Sequence, residues 1–291
     1  MLASVNYRKP LDYFGRPLDQ IKSMFQKGVR LGEEIEALSG FFACYNLRSL
    51  FLESSKSLAF QTNIINRLIV CICEDVCYAN PILIRDTLPR LILMSKKPDL
   101  RNAQYLANVV KTVTKSKKSR WCSHAAAYFR KQEITEVFDL SKPECFTWLV
   151  EDENWPDRLE TIKNAIKIEP DLFKILFGYY KKSGKKNQRN LMRFIVGLAH
   201  FLTVESDQGI FFRTGWKSEE KIILEEVDIV PYLTHDKSMY PEVPDYAVDV
   251  HTAKGRSLKR DGKRFRAVGA RIENEHSLFK NEEYETVYNN Q

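Results

Sequence analysis

Residues 58–76 read LAFQTNIINRLIVCICEDV. Ile64, Ile65, Leu68, Ile69 and Ile72 recur three and four positions apart, an apolar stripe wide enough to be covered on more than one side, so this segment is predicted to be the central helix of a mainly α fold. Upstream, a loop-like start ends near Pro17. Ile21, Met24 and Phe25, then Ile35, Leu38, Phe42 and Tyr45, repeat the same spacing and predict two more helices. Downstream, Asn80-Pro81 breaks the chain, because the residue before a proline is pushed out of the α region while Pro81 suits the first turn of a new helix running to about Met94. Lys96 to Asp99 forms the next turn, with Asp99 as the expected N-cap of a helix through Tyr105, Leu106, Val109, Val110 and Val113.

Ser119 to Gln132 also reads as helical. Pro143 and the acidic stretch from Trp148 to Pro156 mark a boundary, after which Leu159, Ile162, Ile166 and Ile168 restart a helical period. Leu172 to Tyr180 and Leu191 to Leu202 continue it. From Gln208 the pattern changes to short β-branched and aromatic runs such as Ile222 to Leu224, and from Tyr232 few apolar residues remain to anchor the chain. The expected organisation is an N-terminal extension over 1–18, a helical bundle over 19–142, a second helical unit over 143–207, and a mixed, extended, partly ordered basic tail over 208–291.

A chain of 291 residues with 44% hydrophobic and 12% aromatic content can bury a sizeable core. Its net charge of +7 is concentrated rather than spread, which points to an acidic partner. The six cysteines form no CxxC pair and sit among apolar residues, as expected of reduced core thiols inside a cell. Cys73 and Cys77 share a helical face but have only the distant His124 near them, which argues against zinc. No apolar leader and no run of about 18 apolar residues is visible, so neither export nor a membrane span is expected.

Three places resemble the helical region that follows the ATPase module in the RarA/MgsA and Werner-helicase-interacting-protein family of clamp-loader-like AAA+ proteins. The first is Phe25 to Glu33, with Arg30. The second is Arg67-Leu68-Ile69, Glu74-Asp75-Val76 and Ala79-Asn80-Pro81. The third is Tyr105-Leu106-Ala107 with the Lys-Ser pairs and His124 to Ala127 after it. Order and spacing agree over roughly residues 20 to 130. Asn66, Cys73 and Cys77 stand where the family has arginine, serine and glycine. The resemblance implies a collar-like bundle that drives self-association, usually to a tetramer, with Phe25, Arg30, Arg67, Glu74, Asp75 and Pro81 organising it. It also implies a separate AAA+ ATPase or another replication protein as partner, a nuclear or cytoplasmic replication site, and a compact genome such as that of a large DNA virus as a fitting context. No GxxxxGK[ST] loop occurs, so the phosphate cradle is missing and no ATP hydrolysis, cofactor or metal is expected.

Three basic patches carry the partner reading. The largest holds Lys254, Arg256, Lys259, Arg260, Lys263, Arg264, Arg266 and Arg271 with Phe265 among them, and Asp261 is its one acid. Such a run neutralises phosphates without demanding base readout, and Phe265 could stack on an unpaired base. A second patch, Lys181, Lys182, Lys185, Lys186, Arg189 and Arg193, lies at a helix junction. A third spans Lys115 to Arg120. Lysine-rich turns are also common on ordinary surfaces, and a basic run can equally be a solvated tail or an import signal.

Two acidic features compete with that reading. Glu74 and Asp75 diverge by about 100° on a helix, so they are expected to pair with arginines or cap a neighbour rather than share an ion. Strand alternation over Asp245 to Arg256 would put Asp249 and His251 on one face, where a metal-dependent nuclease could be centred, but the other histidines show no ligand spacing and a docking or surface-packing role is the stronger expectation. The expectation is therefore a non-enzymatic, oligomeric accessory protein of DNA replication, repair or recombination. A scaffold with the same fold and no nucleic-acid role is the first alternative, and the nuclease the second.

Overall fold

The computed structural model describes residues 10–49, 54–76, 79–118, 167 and 219–270. The chain divides into two compact units, Met1–Val76 with Leu83–Lys118 and Lys221–Leu278, and Cys77–Ile82 with Ser119–Glu220 and Phe279–Gln291. Most of the described residues belong to the first unit. The expected helices from 119 to 202 lie outside the described residues, Lys167 excepted.

Among the described residues the protein is mainly helical, without strands, and its helices pack as a bundle. Helices α1 (Leu18–Leu31) and α2 (Glu34–Tyr45) form a hairpin turned at Gly32 and Glu33. Ile21, Met24 and Phe25 of α1 and Leu38, Phe41 and Phe42 of α2 are essentially inaccessible to solvent. Burying a side chain of that size contributes about 1.5–3 kcal/mol. The hairpin is close because Gly40 faces α1: a Cβ there would lie 2.8 Å from the backbone nitrogen of Phe25.

Helix α3 (Ser54–Cys71) buries its apolar stripe, with Ile64, Ile65, Leu68 and Cys71 inaccessible, and packs on α1 and α2, so the hairpin rather than α3 lies at the centre of the described packing. Helix α3 runs into a wider π turn over Ile72–Val76 that carries Asp75 into the interior. Helix α4 (Pro81–Lys96) starts at its proline, and a 3₁₀ turn, Pro98–Leu100, leads toward α5 (Ala103–Lys115). The cap of α5 is not Asp99, which lies in that 3₁₀ turn. It is Asn102, whose side chain accepts from the Tyr105 N–H at 2.8 Å. The turn intervenes because Pro98 fixes its own first position, leaving Asn102 as the last extended residue before the helix.

The basic C-terminal segment begins as a strap along α5. It is not a strand: the Val227 N–H donates to Asn108, the Glu225 N–H to Thr112 and the Ile222 N–H to Asp86, so side chains of α4 and α5 supply the acceptors that a neighbouring strand would. Short turns follow, α6 (Val230–Leu233), α7 (Ala253–Ser257) and α8 (Gly262–Arg264), with a π turn over Phe265–Gly269. Tyr232, Tyr240, Ala247 and Val248 from this segment are buried, and Tyr232 stacks on Phe42 of α2 at 5.0 Å. The segment is thus anchored by two tyrosines together with the small aliphatic residues Val227, Ala247, Val248 and Ala270.

Candidate nucleic-acid interface

Two cations of α1, Lys27 and Arg30, stand one helical turn apart and are almost completely buried. Neither can be left without a carboxylate, since an unpaired buried charge is far costlier than a paired one. Arg30 meets Asp75, Nε to Oδ1 at 2.8 Å and Nη2 to Oδ2 at 3.4 Å, and also donates to the Gly269 carbonyl. Burial lowers the Arg30 pKa, but the charge of Asp75, its hydrogen bonds and the smaller effects of Cys71 and Glu74 together raise the value. Arg30 and Asp75, two of the residues assigned to bundle organisation, therefore form the central ion pair. Arg67 reaches Gln26 of α1 at 2.8 Å.

Lys27 meets Asp249 at 2.7 Å and donates to the Tyr246 carbonyl, and its ammonium lies 5.6 Å from the Phe265 ring centre. Burial, only partly opposed by Asp249, holds Lys27 below the ordinary lysine pKa. Asp249 is also a turn residue: Oδ1 accepts the His251 N–H at 2.8 Å and Oδ2 lies 3.2 Å from His251 Nδ1. Burial would raise its pKa, but the hydrogen bonds from His251 and Lys27 hold the carboxyl well below the usual range.

Asp249 and His251 are brought together by this turn and not by strand alternation. Both carboxylate oxygens are occupied by protein donors, and no group of three or more potential metal ligands assembles among the described residues. The arrangement works as an anchor. Gly255 completes it, because a Cβ there would lie 1.7 Å from the Asp249 carbonyl oxygen. Thr252 caps α7 by accepting from the Gly255 N–H at 3.0 Å while donating to the Asp249 carbonyl at 2.9 Å.

The basic tract is consequently laid along α1. The Ala253 N–H donates to Asp19 in the first turn of α1 at 2.6 Å, Phe265 sits by Lys27, and the Gly269 carbonyl reaches Arg30 in the last turn. Asp19 to Arg30 spans about 16 Å of helix at the usual rise. Within the tract the cations divide. Arg260 is turned inward onto Asp245 and the Val248 carbonyl, Arg264 shares Asp245, and Arg256 bonds the His251 carbonyl at 2.9 Å. The Arg260 and Arg264 guanidinium groups lower the Asp245 pKa.

Lys254, Lys259 and Lys263 are exposed and have no partner among the described residues. Phe265 is half-buried, with its ring edge-on to His251 at 4.8 Å, so it is engaged within the fold rather than presented for stacking. The Arg266 side chain, Arg271 and the patch from Lys181 to Arg193 lie outside the described residues.

The third patch is divided in the same way. Lys115 is neutralised by Glu225 at 2.7 Å and by Glu34 at 3.6 Å. Lys118 is fully buried and caps the end of α5, donating to the carbonyls of Val113 at 2.9 Å, Thr114 at 2.7 Å and Ser116. Burial brings its pKa down to about 7.

Lys27 is the residue that sequence reading missed as an anchor. Its signal was its place beside Met24 and Phe25, three residues before Arg30: two cations bordering an apolar stripe imply buried acids elsewhere. No described helix is long and apolar enough to cross a membrane. Comparison with protein-family models, curated proteins and solved structures finds no match for the chain.

Proposed function

We propose that the chain is a non-enzymatic, self-associating accessory protein of DNA replication, repair or recombination that holds nucleic acid along α1 by its basic tract. The observation that carries this reading is the row of Lys254, Lys259 and Lys263, exposed and unpartnered among the described residues, on a backbone fixed by the buried Lys27–Asp249 pair. Lysines on a fixed frame meet phosphates without the ordering cost of a loose tail, and each phosphate contact releases counterions. Self-association and a docked ATPase partner rest on the collar resemblance alone.

The test is light scattering coupled to gel filtration, with and without short single-stranded and duplex DNA, at low and moderate salt. A closed oligomer that takes up DNA at low salt and sheds it as salt rises supports the reading. Replacing the three lysines by glutamine should reduce the slope of log K against log salt by about 2–3. A DNA-indifferent monomer overturns the proposal in favour of a scaffold with the same fold.

A further inference from the structure

At the end of α1 where the basic tract begins, a second surface has a different chemistry. Residues 10–17 fold into a tight loop: the Leu18 N–H returns to the Pro10 carbonyl at 3.1 Å, and Asp12 Oδ1 accepts from the N–H groups of Phe14 at 3.0 Å and Arg16 at 2.8 Å. The loop tip carries Tyr13, which is 56% exposed, and its ring stacks on His235 with centroids 4.3 Å apart and planes 5° from parallel. Phe14 and Tyr240 pack behind at 4.7 Å, and the Arg16 guanidinium, held by Asp12 at 2.7 Å, lies 5.5 Å and 5.6 Å from those two rings. His235 follows the C-cap of α6 with a φ of 57°, the left-handed position that ends the helix as the Asp236 N–H returns to the Pro231 carbonyl at 2.8 Å, and this turn places its ring against Tyr13. A flat, wet aromatic face on a pinned loop has little packing value of its own.

We infer that the Tyr13–His235 pair is a stacking platform for an unpaired base, so that the nucleic acid held by this protein is single-stranded. The inference rests on the function proposed above. The platform flanks Pro17, the residue before α1, and the tract starts two residues into that helix, where Ala253 meets Asp19. A strand can therefore lay its phosphates along Lys254, Lys259 and Lys263 and turn a base onto Tyr13. Stacking needs a free π-face, which single strands offer and duplex interiors do not, and it tolerates any base. The ring is already held in place, so binding does not have to order it.

The test uses the full chain and three labelled probes of equal length: an oligo-dT strand, the same strand with abasic sites, and a duplex, followed by fluorescence anisotropy across a salt series. Tyr13→Ala is expected to weaken the oligo-dT complex about tenfold, the scale of one base–aromatic stack, while leaving its salt slope and the duplex affinity unchanged. Tyr13→Phe should bind as the parent does, since no hydroxyl is needed, and Tyr13→Trp should show indole quenching by oligo-dT but not by the abasic strand. If the triple lysine variant loses binding but Tyr13→Ala and the abasic probe behave as their controls, the platform is overturned and the proposed function stands. If the unaltered protein binds none of the probes, both are overturned.

Discussion

Replacing Lys27 by methionine keeps the apolar stem and removes only the charge. The Lys27 and Asp249 side chains are 3% and 8% exposed and 2.7 Å apart. At that separation an effective dielectric near 20 gives an attraction of about 6 kcal/mol, from which the desolvation of both ions must be subtracted. Removing one partner of a buried pair costs about 3–5 kcal/mol, and the lower end applies because Asp249 keeps both contacts with His251. Urea unfolding of Lys27→Met should therefore show a loss of about 3 kcal/mol, and hydrogen exchange should place the largest loss of protection in residues 245–269.

The acid limb supplies an independent check. A carboxyl whose folded pKa lies below its unfolded value of about 3.9 contributes stability that is present above that value and lost as pH falls through the folded pKa. Without Lys27 the folded pKa of Asp249 rises toward the unfolded one, so this carboxyl loses less stability on acidification and the difference between Lys27→Met and the parent should narrow as pH falls below about 4. A loss below about 0.5 kcal/mol with unchanged exchange would refute the anchoring argument.

Gly255→Ala places a Cβ 1.7 Å from the Asp249 carbonyl oxygen and should cost about 3 kcal/mol in the same urea assay, with the backbone turn rather than the charge pair as the casualty. Lys118, with a folded pKa of about 7 against about 10.4 unfolded, binds fewer protons folded than unfolded between those values. Stability should therefore rise with pH from about 7 to about 10, and Lys118→Met should flatten that rise by up to about 1 kcal/mol per pH unit. The buried Tyr246 hydroxyl has no hydrogen-bond partner among the described residues, so Tyr246→Phe should leave the unfolding midpoint unchanged or raise it slightly.

The elements legible in the sequence were those whose information is local. Ile64, Ile65 and Leu68 announced α3 by spacing, Pro81 announced the start of α4, and the pairing of Asp75 with an arginine followed from the impossibility of aiming adjacent helical carboxylates at one ion. The basic segment was opaque because its partners are remote: Lys27 and Asp249 are separated by more than two hundred positions, and Tyr232 finds Phe42 across a comparable gap. An anchor made of one ion pair, a few aromatic rings, scattered small aliphatic residues and capped turns leaves no periodic trace. The same distance hid the division among the cations. Lys254 and Arg260 look equivalent in a basic run, yet one faces solvent while the other is turned onto Asp245.

That division changes what the tract can do. In a disordered tail every cation is equally available and the cost of ordering falls on binding; here α1 has already borne it during folding, and the arginines that bond backbone carbonyls and Asp245 hold the lysines in place. If the tract holds nucleic acid as proposed, affinity and salt slope should respond to different substitutions. The slope counts phosphates neutralised and follows the exposed lysines, whereas affinity at fixed salt also contains the ordering of the frame. Loosening the frame at Lys27 would weaken binding with little change of slope, because Lys27 is buried and neutralises Asp249, not a phosphate. Parallel changes of slope and affinity in the Lys27 and lysine-row variants would instead mean that the tract binds as an unstructured polycation, and the folded rail would have no part in it.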